Sequence, residues 1–162
     1  MGLDMYLYLR KYESVTNWDK EGIKKKEGFY PPELEELGNR IYEKNFMSKT
    51  TEYQVAYWRK ANAVHQYFIE NCTDGEDDCK PIWVDIEDLK KLVKICREII
   101  ADPTKAQEKL PTQGGFFFGS VEYDEYYLQD LEDTVEQLEP VIKFMEKQEN
   151  REKYDIIYEA SW

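Results

Sequence analysis

The chain has a single histidine, His65, in the segment YWRKANAVHQYFIENC (57–72), which also carries Trp58, Arg59 and Asn62. A histidine can act as a general base or as a hydrogen-bonding group for a ligand. It can equally be a buried imidazole bonded to a core tyrosine or a carbonyl. An arginine beside a tryptophan can hold a planar anionic ligand. The plainer alternatives are a core or pocket-wall role for Trp58 and surface positions for Arg59 and Lys60. Read as a helix at about 100° per residue, the segment places Tyr57, Trp58, Ala61, Val64, His65, Phe68, Ile69 and Cys72 on one face. Arg59, Ala63, Gln66 and Glu70 lie opposite, with Asn62 at the rim.

The second candidate is PTQGGFFFGS (111–120). Gly114 and Gly115 permit close backbone approach or a positive φ. A phosphate cradle built from backbone N–H groups and Ser120 is one reading. It lacks the lysine of a phosphate-binding P-loop and the G-x-G-x-x-G spacing. The other reading is a tight turn and a strand whose phenylalanines, Phe116 to Phe118, plug the core. Gln113 to Gly115 fit a binding element, because long glycine-rich loops frequently bind.

The third feature is charge. Between Leu110 and Ile142 there is no Lys, Arg or His, but eight acids: Glu122, Asp124, Glu125, Asp130, Glu132, Asp133, Glu136 and Glu139. A solvated helix face accounts for them. A protein-docking surface centred on Asp130, Glu132, Asp133 and Glu136, a mimic of DNA, or a Mg²⁺ or Ca²⁺ site are the alternatives. The acidic run Asp74–Asp78 does not follow the EF-hand pattern, and neither histidine nor cysteine spacing suggests zinc. No cofactor is expected. No nucleophile, base and orienting group can be assembled from local sequence.

These groups need a frame. Leu3, Met5, Leu7 and Leu9 alternate with Asp4, Tyr6 and Tyr8, which predicts a half-buried strand. The C-terminal KYDIIYEASW (153–162) predicts another, and the two are expected to pair antiparallel in one sheet. Residues 13–30, with Lys24, Lys25 and Lys26, read as a loop or insertion. Pro31-Pro32-Glu33 opens a short helix ending near Lys44. Residues 49–56 are a candidate third strand running into the helix from Tyr57. Asp74-Gly75 marks a turn, and Pro81 to Val84 a short strand. Asp85 caps a helix with Leu89, Leu92, Val93, Cys96 and Ile100 on one face, ending at Asp102-Pro103. A long helix from about Asp124 to Glu149 carries Tyr127, Leu131, Val135, Leu138 and Ile142 inward, and Pro140 should kink or break it. The sum is a single α+β domain over residues 1–162: a small antiparallel sheet with both terminal strands, packed against about four helices.

Composition narrows the function classes. At 162 residues with 41% hydrophobic and 15% aromatic content, the chain can build its own core. Its net charge of −12 opposes general binding to DNA or RNA, although a local basic pocket can still take a small anion. Three cysteines, Cys72, Cys79 and Cys96, suggest a reducing compartment. Cys72 and Cys79 flank a short acidic loop and could approach each other. No apolar run reaches the roughly 20 residues needed to span a bilayer, so no membrane association is expected and a cytoplasmic location is the default.

The strings MGLDMYLYLRKY, EYQVAYWRKANAVHQYF, LPTQGGFFFGSVEYDEYYLQDLEDT and YDIIYEASW resemble a family of small uncharacterised phage and prophage proteins. The resemblance spans most of the chain. Some members carry a kinase-like label, which this chain does not support because it lacks a nucleotide-binding lysine loop. It implies a phage accessory protein acting in the host cytoplasm, of a kind that counters host defence by sequestering a signalling nucleotide or blocking a host protein. The expectation is a non-enzymatic binder of a small anionic or nucleotide-like ligand, as a possible homo-oligomer. Trp58 and Phe116 would stack on a base. Arg59, Asn62, His65, Gln113, Gly114, Gly115 and Ser120 would complete the pocket. The alternatives are an acidic inhibitor of a host protein and an enzyme using His65 as base.

Overall fold

The computed structural model describes residues 2–14, 16–19, 22–25, 31–37 and 48–162. The chain forms two compact units, one of Met1–Arg10 with Glu52–Trp162 and one of Lys11–Thr51. Among the described residues the strands are β1 (Asp4–Ser14), β2 (Thr16–Asp19), β3 (Gly22–Lys25), β4 (Ser48–Arg59), β5 (Ile82–Val84) and β6 (Asp155–Ser161). The helices of the larger unit are α1 (Asn62–Cys72), α2 (Ile86–Ala101), α3 (Ala106–Lys109), α4 (Glu125–Met145) and α5 (Gln148–Arg151).

The larger unit is an α+β fold on an antiparallel sheet of order β4-β1-β6-β5. The terminal strands pair as their alternation predicts, in a register running from Asp4 opposite Ser161 to Arg10 opposite Asp155. Both are central because each carries one wholly apolar face, which must be covered. Leu3, Met5, Leu7 and Leu9 of the N-terminal segment and Ile156, Tyr158 and Ala160 of β6 are buried, as are Leu89, Leu92, Cys96 and Ile99 of α2 and Leu131, Leu138 and Val141 of α4.

Local rules explain the helix boundaries. Asp85 caps α2 by accepting from the Glu87 amide at 3.0 Å, and the helix ends at Asp102 before Pro103. Asp124 caps α4 by accepting from the amides of Tyr126 and Tyr127. Pro140 does not end α4, which stays helical to Met145. The long helix expected to reach Glu149 stops there, and a separate turn, α5, follows. Val135 and Ile142 are half-buried, whereas Thr134, absent from the expected core face, is fully buried.

Two expectations are corrected. Residues 13–30 are not simply a loop: β1 continues to Ser14, and β2 pairs antiparallel with β3 from Thr16 opposite Lys25 to Asp19 opposite Gly22. The expected helix from Tyr57 starts five residues later, at Asn62. Tyr57, Trp58 and Arg59 still belong to β4, and their sides alternate: Trp58 is buried and its neighbours are exposed. The aromatic and β-branched run from Thr50 onward favours extended backbone, and the strand is broken by Lys60, which adopts a left-handed φ of 61°. In the smaller unit, Pro32 opens a 3₁₀ turn, Pro32–Leu34, with Glu33 in its first turn. The helix end expected near Lys44 lies outside the described residues. Cys72, Cys79 and Cys96 are all free thiols. No helix among the described residues is long and apolar enough to cross a membrane.

Candidate functional site

The junction between β4 and α1 has an unusual backbone. Lys60 is left-handed, and Ala61 follows at φ −75°, ψ 68°, the geometry of an inverse γ-turn, with the Asn62 amide donating to the Lys60 carbonyl at 2.8 Å. A lysine at positive φ is strained and persists because its surroundings hold it. The Lys60 amide donates to the Leu3 carbonyl at 2.8 Å. Its side chain runs between two glycines: a Cβ on Gly2 would lie 3.0 Å from Lys60 Cε, and one on Gly119 would lie 3.1 Å from Lys60 Cβ. Gly119 also has a φ of +90°, so Gly119→Ala should cost about 1–2 kcal/mol through strain and crowding together. Urea denaturation of the variant checks this.

Asn62 ties this junction to the glycine-rich loop. It is buried, its Nδ2 donates to the carbonyls of Phe118 (3.0 Å) and Ser120 (2.7 Å), and its Oδ1 accepts from the Gln113 amide (3.0 Å). The Phe118 amide closes a turn onto the Gly115 carbonyl at 3.2 Å. The three phenylalanines therefore diverge. Phe116 is 96% exposed, Phe117 is half-buried, and Phe118 is buried. No strand forms here, and a plug of three core phenylalanines is replaced by a turn that inserts one.

Between this junction, the loop and α4 lies a cleft of about 250 Å³. Arg59, Lys60 and Asn62 form one wall, Gly119, Ser120 and Glu122 another, and Asp124, Tyr126, Tyr127 and Asp130 a third. The first turn of α1, Ala63 and Val64, also lines it, and α1 has no side-chain cap. The Asn62 amide is taken by the Lys60 carbonyl, which leaves those of Ala63 and Val64 as the first-turn donors without a side-chain cap, reinforced by the helix dipole. Arg59 is well exposed, its Nε 3.9 Å from Asp4 Oδ1. The Asp130 carboxyl is pushed up to about 6, first by burial and then by the nearby Asp133 and Asp124.

Of the residues singled out in the sequence, Arg59, Asn62 and Ser120 line the cleft; Trp58, His65, Gln113, Gly114, Gly115 and Phe116 do not. Trp58 is a core residue whose Nε1 donates to Thr134 Oγ1 at 2.9 Å, so it cannot stack on a base with the exposed Phe116. The Gln113 amide is already bonded to Asn62, and Ser120 Oγ accepts from the Glu122 amide at 3.1 Å. His65 is fully buried. Its Nδ1 lies 2.7 Å from the Tyr158 hydroxyl and its Nε2 3.0 Å from Asp77 Oδ2. Of the acids considered for docking, Glu132, Asp133 and Glu136 are exposed on α4, whereas Asp130 turns half-buried into the cleft.

Tyr126 was not among the residues the sequence singled out, and Asp130 was expected in a docking face and not in a cleft. The available signal was the Asp124 cap: it fixes the start of α4, and residues 126, 127 and 130 then follow on adjacent turns. A second, larger groove of about 760 Å³ runs between α2 and α4 over Val93 and Ile142. It is shallower, and ion pairs cross it from Arg97 to Glu139 and from Lys90 to Glu146, so its rim charges are largely matched. Among the described residues no group of acids, cysteines or histidine is placed to hold a metal ion. No family model, curated protein or solved structure matches the chain.

Proposed function

We propose that this chain is a binding protein that holds a small nucleotide-like anion in the cleft without turning it over. The observation that carries the reading is the uncapped first turn of α1 opening onto a cleft walled by Arg59 and Lys60. Helix N-termini accept phosphates because free amides and the dipole act together, and two cations beside them offset the overall negative charge at short range. Tyr126 is 73% exposed on the opposite wall and offers a ring face for a base, the part first sought in Trp58 and Phe116. Binding sites usually span roughly 300–1,000 Å³. The cleft, at about 250 Å³, therefore suits a mononucleotide with part of it in solvent. The sealed position of His65 supports binding over base catalysis. The resemblance to phage proteins supports an anti-defence role, with a host signalling nucleotide sequestered.

Calorimetry against a panel of nucleoside monophosphates, diphosphates and cyclic nucleotides tests this. At least one should bind reversibly and be recovered chemically unchanged after heat denaturation of the protein. Arg59→Glu should weaken it by tenfold or more, about 1.4 kcal/mol, while the unfolding midpoint stays put. Silence across the whole panel would remove the reading, and recovery of an altered nucleotide would make the chain an enzyme.

The exposed Glu132, Asp133 and Glu136 favour a second reading, in which this face of α4 docks on a basic host protein. Association should then fall with added salt. Charge reversal at all three positions that left partner capture unchanged would count against it.

A further inference from the structure

The carboxylates around the cleft are not equivalent. Asp124 is committed: its Oδ1 accepts from the amides of Tyr126 and Tyr127. Asp133, one turn along α4 from Asp130, accepts from Gln129 Nε2 at 2.8 Å and is exposed. Glu122 lies exposed at the rim. Asp130 differs from all three. It is half-buried in the wall, and among the described residues its carboxylate accepts no hydrogen bond and pairs with no cation. Its backbone carbonyl, by contrast, accepts from Thr134 Oγ1 at 2.6 Å. Arg59 and Lys60 line the same cleft but do not reach it within ion-pair distance. No buried side-chain oxygen among the described residues lacks a partner, so the Asp130 oxygens reach solvent and stand as open acceptors on the cleft wall.

We infer that Asp130 is the specificity-determining residue of the cleft, and that it selects ligands whose base carries an exocyclic amine. The inference rests on the proposed nucleotide site. With the phosphate at the α1 N-terminus beside Arg59 and Lys60, and the base against Tyr126, Asp130 is the acceptor left on the α4 wall for the base edge. An amine donates to a carboxylate, whereas a carbonyl at the same position would place two acceptors face to face. A hydrogen bond to a charged acceptor discriminates strongly because its loss leaves the charge unpaired.

Asp130 also predicts a pH signature for the ligand-free protein. The charged groups nearest it are Asp133 and Asp124 on its own helix, Glu122 on the loop, and Arg59 and Lys60 on the β4 side. Its folded value, about 6 against an ordinary 3.8, means that the folded state holds the proton more tightly. Its ionisation therefore weakens the fold as pH rises through about 6, and the penalty is relieved between 6 and 3.8. Asp130→Asn should raise the unfolding temperature at pH 7.5 and do so less at pH 4.5.

The test compares matched nucleotides, CMP with UMP and AMP with IMP, on the wild-type chain and on Asp130→Asn at pH 7.5. The expected result is at least tenfold tighter binding of CMP over UMP or of AMP over IMP by the wild type. In the variant the same pair should come within about twofold, with the affinity for UMP or IMP retained or improved. Nucleotide binding with no amine preference, or with a preference that survives in Asp130→Asn, overturns the inference and leaves the phosphate site standing. No binding by any of the four overturns the inference, and silence across the wider nucleotide panel as well overturns the phosphate site with it.

Discussion

His65→Ala is expected to cost the fold about 3–5 kcal/mol, the range for emptying a buried side-chain site and stranding its polar partners. The imidazole is fully enclosed, with Phe118 edge-on at 5.4 Å and Tyr158 at 6.0 Å between ring centroids. The ring bridges two partners: Nε2 faces the Asp77 carboxyl and Nδ1 the Tyr158 hydroxyl, so removing it strands both. Burial holds the Tyr158 hydroxyl well above its ordinary range, which keeps it protonated. Asp77 Oδ1 also accepts from Trp162 Nε1 at 3.3 Å. One carboxylate thus fastens the loop after α1 to the helix and to the C-terminal residue. Asp77→Ala should cost less, about 1–2 kcal/mol, since Asp77 is only partly buried and water can replace it. Chemical denaturation of both variants checks the order. A His65→Ala protein with a wild-type midpoint and no ligand binding would return His65 to the functional site.

Asn62→Ala should destabilise by about 3 kcal/mol and release the 113–120 loop. Three hydrogen bonds are lost at once, and two carbonyls and an amide lose their partner. Each net bond contributes roughly 1 kcal/mol, more where water cannot reach the stranded group. Asn62→Asp is the sharper probe. It keeps an acceptor for the Gln113 amide but sets a carboxylate against the Phe118 and Ser120 carbonyls, so it should be no better than alanine. Amide exchange at Gln113 should accelerate in the alanine variant by more than at the core amides of β6. Because Asn62, Gly119 and Ser120 all line the cleft, ligand affinity should fall with loop order. An alanine variant that keeps slow exchange at Gln113 would show that the loop is held by other means.

Much of the frame was legible because it follows local rules. The leucine alternation of residues 3–9 and the apolar Ile156 to Tyr158 run predicted two strands, and their shared need for cover made them central neighbours. Asp85 announced its helix because an acid that caps free amides is readable without tertiary information, and the long helix was expected from about Asp124 on its apolar spacing. The start of α1 was not readable in this way. Trp58, Ala61, Val64 and His65 fit a helical face, yet Tyr57 to Arg59 also fit an alternating strand. Helix and strand periods coincide over so short a run. A left-handed Lys60, wedged against Gly2 and Gly119 from distant parts of the chain, decided where one ended and the other began.

The sequence by itself determined the α+β class, the pairing of the two terminal strands, the Asp85 cap of α2 and the local concentration of acid between Leu110 and Ile142. These depend on neighbours within a few residues or on the simple demand that apolar faces be covered. Tertiary structure alone decided what His65, Asn62 and Asp130 do. All three are polar residues able to bond in several ways, and their roles depend on partners 12 to 93 positions away or, for Asp130, on the lack of one. His65 meets Tyr158 and Asp77 and becomes structural. Asn62 meets three backbone groups and becomes the fastener of a loop. Asp130 meets none, and its carboxylate stays an open acceptor in a half-buried wall.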